Sequence, residues 1–570
     1  MFQRYLFRIG FVLAATIVLN ACGSGSSPAA PPPSQTSAPT QSTSATEDIA
    51  SPQSDPNTPP VTLPASGTVT LNGRITYDRV PFESRSFRGL DYSRTHPQPA
   101  RGVTVQLLDH HDRVHTSGTT DEDGHYRFHI DKNQSLRVRV LAELRGTNGA
   151  ASWDIQVRDN TAGNAQYVLD GALAAVGDSG AQTRNLHAAS GWDGSRYAAP
   201  RSAAPFAVLD SLYDALQVVL DADPEVFLPP LPVYWSEKNI AISGDTSEGH
   251  VRTSFYTSAG PSIYLLGSAD NDSDEYDRGV VQHEFGHYLE HQLSRSESIG
   301  GSHSQASRLD MRVAFGEAWG SAFSGMVSGD PLYRDSYGAN QASGFTINLD
   351  NRTGGTQGWF SEASIQTLLY RLFKGTEKDP GLGFKPFYDV LTSESYLSFD
   401  GFSSIYAFRA ELETQHPHLA DTLTTQLQHY GIHGTGWYGE GETNNGGSPS
   451  TLPVYHQMTL GQPTNVCSNS DFQKYNGVDV RRFLRVHLPD TRHYSISAVR
   501  SGGDLWRSNP QVRIYHRGNL MVSLTSGTTD REIAQRHLAR GDYVLEVYEE
   551  SNAEHTSSTG GFVCFDVTVQ

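Results

Sequence analysis

Val280-Val281-Gln282-His283-Glu284-Phe285-Gly286-His287-Tyr288-Leu289-Glu290 is the stretch on which the reading of this 570-residue chain turns. Two histidines four positions apart share one face of a helix, so His283 and His287 can present imidazole nitrogens to one Zn²⁺. Glu284 lies about 100° around the helix from His283, near enough to reach a metal-bound water without being a ligand. Neutral imidazole suits zinc, and zinc lowers the pKa of its water while leaving a position open for a carbonyl oxygen. Val280, Val281, Phe285 and Leu289 surround the motif with apolar groups. That frame argues against a solvent-facing helix carrying two histidines by coincidence.

A third ligand is needed, and the run from Leu309 to Phe323 supplies one. Glu317 stands alone there among small and aromatic residues, a poor place for a carboxylate unless it is paired or bound to a cation. Enough chain separates it from His287 for a loop and a return helix. Gly316-Glu317-Ala318-Trp319 resembles the G-E-G-W segment of fungalysin-type peptidases, and the motif pair as a whole resembles the gluzincin metallopeptidases, within roughly residues 250 to 375. The resemblance implies zinc bound by His283, His287 and Glu317, with Glu284 as general base.

The chain departs from that pattern twice. Gluzincins commonly carry an aspartate four residues after the third ligand, and position 321 is Ser. Orientation of His283 then falls to Ser321 or to Asp310, which reads equally as a helix cap. No histidine occurs from 304 to 415, where thermolysin-like enzymes place a proton donor. Oxyanion stabilisation would come from Tyr333, Tyr337, Arg352, Tyr370 or His303; Tyr370 lies on an apolar helical stripe and reads as core. Asp270, Asp272, Asp274, Glu275 and Asp277 crowd the turn before the motif helix. Two readings stand for them: a Ca²⁺ loop, or capping and favourable charge at a helix N-terminus, which the missing EF-hand glycine favours. Ile263-Tyr264-Leu265-Leu266 reads either as an edge strand for an extended peptide or as an interior strand.

Working outward, Arg4 and Arg8 flank an apolar run from Ile9 to Leu19, too short for a bilayer span and right for a signal peptide. Leu19-Asn20-Ala21-Cys22 resembles the lipobox of bacterial lipoproteins, which implies lipidation at Cys22; with Asn20 in the middle, ordinary signal-peptidase cleavage stays open. Residues 1–22 are thus the signal peptide, and 23–65 a Pro/Ser/Thr tether too poor in large apolar side chains to fold. Short alternating segments fill 66–175. Thr119-Thr120-Asp121-Glu122-Asp123-Gly124-His125-Tyr126-Arg127-Phe128 resembles the turn and strand of carboxypeptidase-regulatory-like, transthyretin-like domains, which implies packing or binding rather than catalysis. Helical periodicity begins at Ala203 to Leu220 and recurs around 311–326, 361–373, 403–412 and 419–430, so 195–440 reads as an α+β domain. Alternation returns in 452–570, where Arg540-Gly541-Asp542-Tyr543-Val544-Leu545-Glu546-Val547 resembles prepeptidase C-terminal modules. With Cys22 lipidated, Cys467 and Cys564 remain; in an oxidising compartment they pair as a disulfide or both stay free.

The expected architecture is multidomain: an α+β zincin catalytic domain flanked by two all-β sandwiches. A net charge of −19 spread over short acidic clusters argues against nucleic acid or an anionic membrane surface as the main partner. The expected function is zinc-dependent hydrolysis of peptide or protein substrates by a monomer, exported and held at the outer membrane or cell surface through its N-terminal lipid. The alternative is a catalytically silent surface lipoprotein that binds protein or glycan through its sandwiches.

Overall fold

The computed structural model describes residues 67–85, 88–178, 180–352, 355–375, 380–527, 529–554 and 560–570. The expected signal peptide, Cys22 and the 23–65 tether lie outside the described residues. Strands dominate both ends of the described part of the chain, and the long helices cluster in its middle.

The N-terminal strand Thr68–Arg79 alternates strictly, burying Val69, Leu71, Ile75 and Tyr77 while its intervening residues face outward. A period of two is what a half-buried strand requires. It pairs antiparallel with His125–Asp131 and parallel with Ala181–Thr183 and Leu186–Ala188. Across the sandwich runs a larger sheet containing Val103–Leu108, Ser135–Asn148 and Ala151–Asp159. That sheet does not stop at the expected boundary near 175 to 195. Ala151–Asp159 pairs parallel with Leu231–Trp235, which pairs parallel with Ser262–Leu265, and the antiparallel strand Phe255–Thr257 forms the edge. Parallel neighbours need a crossover, and α1 (Ala204–Ala222) supplies one between Ala151–Asp159 and Leu231–Trp235. Its buried stripe of Phe206, Leu209, Leu212, Leu216 and Val219 joins the same core as Val157 and Val233.

Behind this sheet lie α2 (Arg278–Leu293), α3 (Met311–Ser328) and α4 (Glu362–Lys374), followed by α5 (Lys385–Thr392), α6 (Glu394–Leu397), α7 (Ile405–Gln415) and α8 (Ala420–His429). The C-terminal segment folds as two packed sheets. One contains Arg481–Leu488, Gly541–Glu549 and Pro510–His516; the other contains Thr464–Ser468, Val563–Val569, Arg492–Gly503 and Arg531–Leu538. Leu484, Val486, Ile496, Ile514, Leu545, Phe565 and Val567 fill the space between them. Cys467 and Cys564 form a disulfide in register between the strands Thr464–Ser468 and Val563–Val569. Among the described residues no helix is long and apolar enough to cross a membrane.

Candidate metal centre

The motif helix and its partner cross unusually close, and glycines make this possible. A β-carbon on Gly286 of α2 would meet the Gly320 backbone at 3.2 Å, and one on Gly320 of α3 would lie 2.9 Å from the ring of His283. Trp319 Nε1 donates to the Gly286 carbonyl at 3.0 Å and fixes the crossing. Asp310 caps α3, accepting from Arg312 N–H, so it is a cap rather than a partner of His283. This crossing brings three side chains from two helices together. His283 Nε2 and His287 Nε2 are 3.0 Å apart, and Glu317 Oε2 lies 3.4 Å and 3.5 Å from them. All three residues are buried, Glu317 to 1 % exposure.

Four donors about 2.0–2.2 Å from a tetrahedral ion stand about 3.3–3.6 Å from one another; Glu317 lies at that spacing from both histidines, and the two ring nitrogens are somewhat closer at 3.0 Å. Glu317 Oε1 has no hydrogen-bond partner, and Oε2 is met by ring nitrogens at 3.2–3.5 Å. A buried carboxylate left this way costs several kcal/mol unless a cation meets it. Burial pushes Glu317 upward, but His303 and His287 outweigh it and hold the carboxyl well below the usual range, so it is an anion. Two imidazoles and an anionic carboxylate fit one Zn²⁺.

Glu284 is fully buried; its Oε2 accepts from the backbone N–H of Tyr256 at 2.7 Å, while Oε1 has no partner. Tyr256 lies on the edge strand Phe255–Thr257, so this sheet edge clamps the carboxylate from the side away from α2. Ser262–Leu265 is interior, which resolves the two readings of that segment. The outer ring nitrogens also have neighbours: His283 Nδ1 lies 3.3 Å from Ser321 Oγ, and His287 Nδ1 lies 3.9 Å from Glu290 Oε2. Such outer partners fix ring orientation.

Of the five residues considered for oxyanion stabilisation, two reach the cluster. His303 Nε2 lies 3.2 Å from Glu317 Oε2, and its Nδ1 lies 2.6 Å from Glu362 Oε2 at the start of α4. Tyr333 packs its ring across His283 with centroids 6.1 Å apart. The other three are engaged elsewhere. Tyr337 ends the strand Leu332–Tyr337 beside Asp272, and Arg352 donates to the carbonyls of Thr356 and Gly355. Tyr370 is core, packed with Val280, Tyr333 and Leu349. Glu362 escaped the sequence reading because an acid at the first helical turn is ordinary.

In the acidic turn the capping reading fails, and Asp272 and Asp274 join a carboxylate group completed by Asp335. Asp277 occupies the N-cap position of α2 but makes no capping bond; its carboxylate accepts from Ser336 N–H at 2.6 Å. Glu275 pairs with buried Arg201, outside any acidic group. Asp272, Asp274 and Asp335 have carboxylate oxygens within 4.8 Å of one another. Burial pushes Asp272 up to about 9, reinforced by Asp274 and Asp277, and burial likewise raises Asp274 to about 7. Asp335, from the strand Leu332–Tyr337, also lies well above its usual range through burial and these neighbours.

No protein-family model matches the chain, and no curated protein matches it. Among solved structures, the chain is similar to a precursor of protealysin, a metalloproteinase from Serratia proteamaculans, at 12% identity over 52% of this chain and 90% of that one, with a TM-score of 0.30. It is similar to the pre-peptidase C-terminal domain of a Bacillus anthracis collagenase at 13% identity, over 20% of this chain and 94% of that one, with a TM-score of 0.15. A periplasmic inhibitor of g-type lysozyme from Aeromonas hydrophila matches at 13% identity over 20% of this chain and 96% of that one, with a TM-score of 0.14. At these scores the likenesses carry no argument, and the functional reading rests on the residues themselves.

Proposed function

We propose that the chain is a zinc-dependent peptidase of the zincin type. The observation carrying this reading is the convergence of His283, His287 and Glu317 with ligand atoms 3.0–3.5 Å apart, Glu317 Oε1 and Glu284 Oε1 both lacking a hydrogen-bond partner. A bound Zn²⁺ supplies a Lewis acid that polarises the scissile carbonyl and acidifies the attacking water. Glu284, held at Oε2 by the Tyr256 N–H, takes the proton of that water through Oε1 and passes it to the leaving amine. His303, its Nδ1 against Glu362, directs its other nitrogen toward the cluster and supplies a donor beside the developing negative charge. The protein acts outside the cytoplasm as a monomer, tethered through Cys22, on peptide or protein substrates.

The test is hydrolysis of a broad peptide library by the zinc-loaded chain, with and without chelator, beside Glu284→Gln. Cleavage should vanish with chelator and return with zinc. Glu284→Gln should keep its metal while kcat falls about 10²–10⁴-fold, the range for loss of a general base. Full activity of that variant would remove Glu284 from its role. Zinc bound without cleavage of any peptide would instead favour the silent, ligand-binding lipoprotein.

A further inference from the structure

The segment joining α2 to α3 contributes His303 yet has almost no regular structure of its own. Ser294 to Ser304 is rich in serine and glycine, and Gly300 and Gly301 both sit at positive φ. Ordering such a stretch costs about 1–2 kcal/mol per residue in backbone entropy, so specific contacts must hold it. At its start they come from the helical region, with Arg295 donating to the Phe399 and Gly401 carbonyls and Ser403 N–H donating to Glu297. From Ile299 to Ser302 the carbonyls are held by the C-terminal sandwich, through its loop 469–480. Tyr475 Oη donates to the Ile299 carbonyl at 2.7 Å, and Asn476 Nδ2 donates to Gly300 O at 2.9 Å and Ser302 O at 3.2 Å. Gln473 Nε2 adds a bond to Ser302 O. Gly301 lies so close that a β-carbon there would meet Tyr475 at 2.8 Å.

On the far side of His303 the same loop engages the backbone, with Asp310 N–H donating to Asn476 O and Val478 N–H donating to Arg308 O. Arg481 then ties the loop to Glu546, which also pairs with Arg312 in the first turn of α3 at 2.9 Å. The clasp thus brackets His303 in sequence and anchors the helix that presents Glu317. Resting on the peptidase reading, we propose that Tyr475 and Asn476 are positioning residues for His303, and that the C-terminal sandwich is an obligatory part of the reaction centre rather than an accessory binding module.

The test uses the full-length, zinc-loaded chain with Tyr475→Phe and Asn476→Asp, read by amide exchange across 299–310, zinc content, and kcat and KM separately. Exchange should quicken at least 10-fold in 299–310 and little elsewhere. Zinc should stay at one per chain, while kcat falls about 10–100-fold with KM nearly unchanged, the size of effect seen when outer partners of a metal site are lost. Unchanged exchange in both variants would overturn the clasp. Quickened exchange with an unaltered kcat would overturn its positioning role, as would exchange rising uniformly over the chain in Tyr475→Phe, which removes only a hydroxyl. If the wild-type chain cleaves no peptide, the peptidase reading fails, and exchange in 299–310 alone decides whether the sandwich holds His303.

Discussion

A single methyl group at position 320 would lie 2.9 Å from His283 Cδ2, Cε1 and Nε2. Gly320→Ala must therefore tilt the imidazole or part α2 from α3, and overpacking of this kind costs about 1–3 kcal/mol. The expected outcome is a lower unfolding temperature together with weaker zinc retention, measured by thermal unfolding with and without zinc; a variant matching wild type in both would mean the ring has room to move. The histidines and Glu284 were legible because their chemistry is local, one helical turn. Gly286, Gly320 and Glu362 were not, because each matters only through a neighbour distant in sequence. Glu317 was legible for a physical reason, an isolated acid in an apolar run, and Ser321 lies beside His283 Nδ1 where an aspartate was missing.

The turn before α2 and the strand Leu332–Tyr337 together build the acidic group of Asp272, Asp274 and Asp335. With Asp272 pushed up to about 9 by burial, this carboxyl without a cation holds its proton in the folded chain from the ordinary carboxylate value upward, where the unfolded chain has lost it. The contribution of this group to stability then falls as pH rises from about 4 to about 9. A divalent cation bound by these oxygens would cancel that loss, since hard cations prefer carboxylate ligands. Calcium at millimolar concentration should raise the unfolding temperature more at pH 8 than at pH 5, and a chelator should restore the decline; equal melting curves with and without calcium would exclude a cation here. Sequence reading found the crowded acids but not Asp335, since nothing in a polar alternating strand announces which turn it faces. The same limit applied to Ser262–Leu265, whose apolar run fitted either an edge or an interior strand until its neighbours were known.

Across the whole molecule, the three expected units are joined more tightly than composition suggested. Alternation identified strands such as Thr68–Arg79, Val103–Leu108 and Gly541–Glu549 but not Ala151–Asp159 or Arg531–Leu538, and helical periodicity located α1, α3, α4, α7 and α8. Periodicity carries no information about partners, so the parallel pairing of Val157 with Val233 and the packing of Phe402 against Phe483 and Tyr515 were unreadable. The buried link between helix and sandwich has a pH signature. Burial raises Glu546, but Arg312, Arg481 and Arg513 outweigh it and hold the carboxyl at about 2. Its contribution is present above the ordinary value near 4.5 and is lost as pH falls toward 2. Glu546→Gln should unfold at a lower temperature at pH 7, by an amount corresponding to about 3–5 kcal/mol for a broken buried pair, with the gap closing between pH 4.5 and 2. A gap that persists at pH 2 would assign the loss to packing. The measurement that bears most directly on the centre itself is the metal-to-protein ratio after equilibrium dialysis against buffered zinc, for the full chain and for Glu317→Ala and His283→Ala. One zinc per wild-type chain, with markedly weakened retention in both variants, is the expected result; wild-type zinc retention in either variant would show that these side chains do not share an ion.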